Sequence, residues 1–126
     1  MKAILDTSVL LATNVPELEG DLAISTASLA ELHFGVLVTA DAGIRAERLR
    51  RLSDLQRKFD ALPVDDQVAV SYGQLAAAVV ATGRQPRSRV MDLLIAATAH
   101  AHGARVYTRN AADLVGIEHL VDIVAV

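Results

Sequence analysis

Hydrophobic residues along this chain fall into short dense runs separated by stretches in which they recur every three or four positions. That alternation predicts buried strands interleaved with helices, the pattern of a parallel sheet covered by helices. Lys2 to Leu5 is almost wholly apolar and runs into Asp-Thr-Ser, so it predicts a buried strand followed by a helix cap and a short helix from Ser8 to about Thr13. A loop carrying Pro16 and Gly20 leads to a brief second strand, Leu22-Ala23-Ile24. Ser25 or Ser28 then caps a helix to about Val38, with Leu29, Leu32 and Val36 on its apolar face. A further helix from Ala42 to about Phe59 carries Leu49, Leu52, Leu55 and Phe59 as a core stripe. Leu62-Pro63-Val64 reads as the third strand, and Asp65 or Asp66 opens a helix stopped by Gly83. After a loop, Val90 to about His102 forms an Ala-rich helix ended by Gly103. Arg105 to Tyr107 and Val121 to Val124 complete a set of five strands.

Four acids stand out against this frame. Asp6 closes the first strand, Glu31 and Asp92 stand on helices, and Asp113 follows Val106-Tyr107-Thr108-Arg109-Asn110. Each alone has a structural explanation: Asp6 as a turn residue or N-cap, Glu31 as an exposed helical acid, Asp92 as a first-turn acid favoured by the helix dipole, Asp113 as a cap of the turn at Asn110-Ala111-Ala112. Glu31 and Asp92, however, sit among apolar neighbours, in Ser28-Leu29-Ala30-Glu31-Leu32 and Met91-Asp92-Leu93-Leu94-Ile95. A carboxylate near a buried seam needs a partner, and a cation shared by several acids supplies one. Hard oxygen donors suit Mg²⁺ or Mn²⁺, and phosphodiester hydrolysis is the natural chemistry of such a site.

In open α/β sheets the working crevice lies at the carboxyl ends of the strands. Asp6 and Asp113 both follow strands and belong at that edge, meeting if strands one and four are neighbours. Asp92 begins the helix feeding strand four, and bare topology is expected to put it at the opposite edge.

Composition narrows the class. A chain of 126 residues fits one domain, residues 1–126, and buries roughly two-thirds of its unfolded surface. Aromatics are only 3%, so base stacking is an unlikely main mode of nucleic-acid binding. No cysteine means no disulfide, zinc-thiolate site or thiol nucleophile. No apolar run reaches the roughly 18 residues of a membrane span and the N-terminus has no basic-then-apolar signal pattern, so a cytoplasmic protein without a membrane partner is expected.

Net charge is −3, yet the arginines are clustered. Arg45, Arg48, Arg50, Arg51, Arg57 and Lys58 interleave with Glu47 and Asp54 and read mainly as a solvated helix face. Arg84-Gln85-Pro86-Arg87-Ser88-Arg89 is a Gly- and Pro-bounded loop with no acid until Asp92, and Arg84, Arg87 and Arg89 are candidates for RNA phosphate contact.

Taken together, Asp6-Thr7-Ser8-Val9-Leu10, Ser25 to Leu32 with Gly35, Asp92 to Ala99, and Thr108-Arg109-Asn110 with Asp113 and Leu114 resemble a PIN domain. More narrowly they resemble the VapC toxins of type II toxin–antitoxin modules. The likeness covers nearly the whole chain, with four motifs in order. It implies an α/β, Rossmann-like PIN domain with a parallel five-stranded sheet in the order 3-2-1-4-5 flanked by helices. It also implies a Mg²⁺- or Mn²⁺-dependent endoribonuclease. Asp6, Glu31, Asp92 and Asp113 match the family's catalytic acids, with Asp6, Asp92 and Asp113 as metal ligands and Glu31 placing the attacking water or helping to hold a second ion. Ser8, Thr108 and Asn110 stand as polar support. A VapB-type antitoxin that blocks the acidic pocket, an RNA substrate and a toxin homodimer are the implied partners, with the helices between Ala27 and Phe59 as docking surface. One departure is visible: only 24 residues separate Asp6 from Glu31, so the first crossover is expected to be trimmed.

Other readings of a strand-end Asp fit less well. A phosphatase of the haloacid dehalogenase type needs an acid where Ser8 stands, and a receiver domain wants a late lysine, whereas the only lysines are Lys2 and Lys58. No histidine is tied to Ser8 by a recognisable motif, which disfavours a serine nucleophile. A non-catalytic metal-binding or protein-docking module with the same fold remains the alternative.

Overall fold

A computed structural model describes residues 1–126. Five strands, β1 (Lys2–Leu5), β2 (Asp21–Ser25), β3 (Asp60–Leu62), β4 (Arg105–Thr108) and β5 (Ile123–Ala125), form one sheet in the order β3-β2-β1-β4-β5 with every pairing parallel. The expected order 3-2-1-4-5 is the order observed. β1 is central because it is the most apolar strand: Ala3 and Ile4 are wholly buried. Its alternating side chains feed two cores. Ile4 joins Ala23 and Val106 beneath the helices α4 (Asp66–Ala81) and α5 (Val90–Ala101). Ala3 and Leu5 join Ile24 and Tyr107 on the other face, against α1 (Thr7–Leu11) and the C-terminal part of α3 (Ala42–Lys58). Between α1 and α3 along the chain, α2 (Thr26–Val38) follows β2 and packs on both α3 and α5.

The helix starts follow from short polar side chains. Asp6 Oδ1 accepts the Val9 N–H at the head of α1, Ser25 Oγ accepts the Ala27 N–H at the head of α2, and Asp65 Oδ1 accepts the Val68 N–H at the head of α4. Gly83, at φ +83°, ends α4 in a conformation that a side chain would resist.

Several expected boundaries move. The third strand lies at Asp60–Leu62 rather than at Leu62-Pro63-Val64, because Pro63 has no N–H to give a ladder and the Val64 N–H turns instead to Thr26 Oγ1. The last strand begins two residues later than expected, at Ile123. The first helix is only Thr7–Leu11, rather than running from Ser8 to about Thr13. The basic segment is partly regular, with a 3₁₀ turn at Pro86–Arg89. Leu49, expected in the core stripe, is half exposed, while Leu52 is buried.

The expectation that bare topology sends Asp92 to the opposite edge is wrong. A crossover helix runs antiparallel to the strands it joins, so its N-terminus lies at their carboxyl edge and its C-terminus at their start. α5 begins at Val90 and ends where His102 and Gly103 turn into β4. Asp92, in its first turn, therefore stands at the same edge as the ends of β1 and β4.

Candidate active site

Parallel pairing sets Leu5 of β1 opposite Tyr107 of β4, so the residues that follow the two strands emerge side by side. The Asp6 N–H donates to the Tyr107 carbonyl at 3.1 Å, continuing the ladder one step past the strand. Ser8 ties the two strand ends together: its hydroxyl donates to Asp6 Oδ1 and accepts the Arg109 N–H at 3.0 Å. Thr108, wholly buried, accepts the Asn110 N–H on Oγ1 at 3.0 Å and shapes the turn into a short 3₁₀ turn, Ala111–Leu114, that carries Asp113. Asp6 is thus both the N-cap of α1 and a carboxylate at the sheet's switch point.

Glu31 reaches this edge from α2. Thr7 Oγ1 donates to Glu31 Oε1 at 2.6 Å and lies 3.1 Å from Ser28 Oγ, so the hydroxyl next to Asp6 orients the acid of the neighbouring helix. Sequence reasoning missed Thr7, which there read only as part of a strand-end turn. No local spacing signals a contact between residues 24 positions apart.

Asp92 and Asp113 complete the group. Burial raises the Asp92 carboxyl above its ordinary range, and the nearby carboxylates of Asp113, Glu31 and Asp6 push it in the same direction; only Arg89 opposes them. Arg89 Nη2 lies 3.1 Å from Asp113 Oδ1, an internal counter-ion at the edge of the acids.

The four acids line one cavity of about 210 Å³ together with Ser8 and Asn110. Its donors are carboxylate, hydroxyl and amide oxygens, with no imidazole or sulfur, which is the donor set of a hard divalent cation. No three of the chain's acidic and histidine side chains are drawn together into a closed metal cage. The fit is therefore to an ion held by one or two carboxylates with water and substrate oxygens filling the rest of its shell, the usual habit of Mg²⁺.

Of the residues singled out from the sequence, Asp6, Ser8, Glu31, Asp92, Asn110 and Asp113 share this cavity, and Thr108 supports it from below through Asn110. The three arginines divide. Arg84 and Arg89 line an adjoining cavity of about 260 Å³ that Asp113 also borders, whereas Arg87 lies outside both. Half of the other basic cluster holds backbone: Arg45 donates to the Thr39 carbonyl, Arg48 to that of Gly35, and Arg51 to those of Leu10 and Ala12.

The profile of the PIN domain family matches residues 3–113. The chain belongs to that family. Ribonuclease VapC5 of Mycobacterium tuberculosis is 36% identical to this PIN domain over 116 residues, covering 85% of this chain and 82% of the relative. Ribonuclease VapC8 of the same species is 35% identical over 100 residues, 76% of this chain and 88% of the relative. Among solved structures, VapBC-5 from M. tuberculosis, described as a member of the VapBC family of toxin–antitoxin systems, superposes with a TM-score of 0.82 at 33% identity. That superposition covers 99% of this chain and 97% of the other. The resemblance read from the four motifs is thereby confirmed, as is the fold it implied.

Proposed function

We propose that this PIN domain is the toxin of a type II toxin–antitoxin module and a divalent-metal-dependent endoribonuclease. The observation that carries the reading is the meeting of Asp6, Glu31, Asp92 and Asp113, from four separate segments, on one cavity at the carboxyl edge of the sheet. Two relatives above one-third identity are named ribonucleases, which supports the same reaction here.

In this reading the ion, Mg²⁺ or Mn²⁺, would be held by one or two of the carboxylates of Asp6, Asp92 and Asp113, with water and substrate oxygens completing its shell. Such an ion, when bound, supplies a water of lowered pKa and offsets charge on the scissile phosphate. Glu31, fixed by Thr7, orients the attacking water and can receive its proton. Ser8 holds Asp6 in place through Oδ1. Asn110 lines the cavity as a polar neighbour of the substrate. The Asp92 carboxyl, with its raised pKa, loses its proton more readily once a cation offsets the other acids. Arg84, Arg87 and Arg89 supply positive charge along the approach to a cleft that would otherwise repel an RNA backbone.

The expected partners are RNA and a VapB-type antitoxin, with a toxin homodimer as the assembly unit and the cytoplasm as the place of action. No helix is long and apolar enough to cross a membrane. A cavity of about 380 Å³ between α2 and α3 shares Thr7 and Glu31 with the acidic cleft, and Phe34 and Leu37 stand exposed on α2. An antitoxin segment seated there would reach the acids directly.

The test is cleavage of a pool of structured RNAs by the purified chain with Mg²⁺, with Mn²⁺ and with EDTA, beside Asp92→Asn. Metal-dependent cutting that disappears in the variant is expected. An absence of cutting by a chain that still binds the metal would move the assignment to a docking module.

A further inference from the structure

The segment between α4 and α5 has a shape that the arginine count alone does not reveal. α4 stops at Gly83, the Arg84 N–H returns to the Val79 carbonyl, and Pro86 opens a 3₁₀ turn in which Ser88 Oγ donates to the Gln85 carbonyl. These contacts pin a short connection. In a 3₁₀ turn, residues two apart point to different sides, so Arg87 and Arg89 diverge. Arg89 turns towards Asp113 while Arg87 stays exposed on the outside. Arg84 and Arg89, with Gln85 and Ser88, line a cavity of about 260 Å³ that is also lined by Asp113, the acid shared with the catalytic cleft.

Arg84 takes part in none of the chain's three side-chain ion pairs. Arg89 is paired through Nη2 alone, with its side chain still 48% exposed. A guanidinium carries five N–H donors in a rigid fork and can hold two anions at once. We propose that this cavity is a phosphate subsite: Arg84 and Arg89 receive the RNA backbone phosphate next to the scissile one, and Arg89 bridges that phosphate to Asp113. The inference rests on the ribonuclease reading and narrows it, since it separates Arg84 and Arg89 from Arg87. The bridge also locates the substrate, because a phosphate anchored on Arg89 lies one side chain away from a carboxylate of the catalytic cleft.

The experiment measures RNA binding apart from cleavage. Asp6→Asn provides a silent background, because Asn caps a helix as well as Asp does. In that background Arg84→Ala, Arg89→Ala and Arg87→Ala are titrated by fluorescence anisotropy against the labelled RNA pool used for cleavage, at several salt concentrations. Circular dichroism checks that each variant is folded. Arg84→Ala and Arg89→Ala are each expected to weaken binding about tenfold, as for loss of one charge-assisted contact. Each is also expected to lower the slope of log K against log salt, by at most the roughly 0.7 that one phosphate on a single strand contributes. Arg87→Ala is expected to leave both unchanged. Equal losses in all three would mean diffuse attraction, and a loss confined to one of Arg84 and Arg89, or none, would equally overturn the subsite. Cutting by the unsubstituted chain is scored separately: its failure with the arginine pattern intact tells against the nuclease, and its presence without that pattern tells against the subsite.

Discussion

Thr7 Oγ1 and Glu31 Oε1 lie 2.6 Å apart, joining the residue after Asp6 to the acid of the next helix. A hydrogen bond to a charged group contributes about 1.5–3 kcal/mol. If Glu31 must be held to orient water, Thr7→Val should lower kcat by about tenfold or more. Thr7→Ser, which keeps the hydroxyl, should retain most of the activity. Single-turnover rates at saturating metal compare the two, and a Thr7→Val chain as fast as the unsubstituted one would remove Thr7 from the site.

Asp92 gives the site its pH signature. Its pKa is raised in the folded chain by burial first, then by Asp113 and Glu31, with Arg89 acting against them. A group whose folded pKa is raised contributes stability that is full below its unfolded value, here an ordinary 3.8, and lost as pH rises through the folded value. In EDTA, raising the pH from the unfolded value towards neutrality therefore weakens the fold through Asp92. Asp92→Asn is expected to raise the Tm at neutral pH, with the gain shrinking as pH falls towards the unfolded value. Thermal melts across that range decide it; a variant melting lower at neutral pH would contradict the assignment of strain.

The five strands and the acids that follow two of them, Asp6 and Asp113, were legible because they depend on local signals such as the apolar run Ala3-Ile4-Leu5, whereas the sheet order came only from the family resemblance. The acids' convergence was legible only partly. Asp6 and Asp113 follow from the strand-end rule, whereas Asp92 was misplaced until the antiparallel run of α5 was considered. What stayed hidden are contacts between segments far apart in sequence. Arg89 read as a free phosphate ligand but spends one nitrogen on Asp113, and Thr7 read as a turn residue but holds Glu31. Neither partner is within reach of a periodicity argument. β3 was displaced because Pro63 punctuates the strand rather than sitting inside it.

A cation shared by the acids should also stabilise the fold. The cleft is lined by four carboxylates with Arg89 as the one cation among the charges that shift Asp92. A ligand bound only by the folded chain adds about 2.7 kcal/mol at a hundred times its Kd. Mg²⁺ or Mn²⁺ should raise the Tm of the unsubstituted chain in a saturable way, and Asp92→Asn should blunt that rise. Ca²⁺ and high NaCl serve as controls for general screening. An equal rise in Asp92→Asn would place the ion elsewhere.

The two helices carrying Glu31 and Asp92 are joined beneath the site by a buried pair of hydroxyls. Ser25 Oγ and Thr98 Oγ1 lie 2.9 Å apart, both wholly buried. Thr98 Oγ1 donates to the Leu94 carbonyl, so its proton is committed and Ser25 donates to it while accepting the Ala27 N–H. Thr98→Val keeps the volume but strands the Ser25 proton in the core, at a cost of about 1–3 kcal/mol. Ser25→Ala removes that proton and the α2 cap together, costing about 1 kcal/mol for the cap. In the double variant no hydroxyl proton is left unpaired, so its loss should be smaller than the sum of the single losses, by 0.5 kcal/mol or more for residues in contact. Urea unfolding of the four chains measures the coupling. Strict additivity would mean that the pair does not link α2 to α5, and the relative placement of Glu31 and Asp92 would then rest on apolar packing alone.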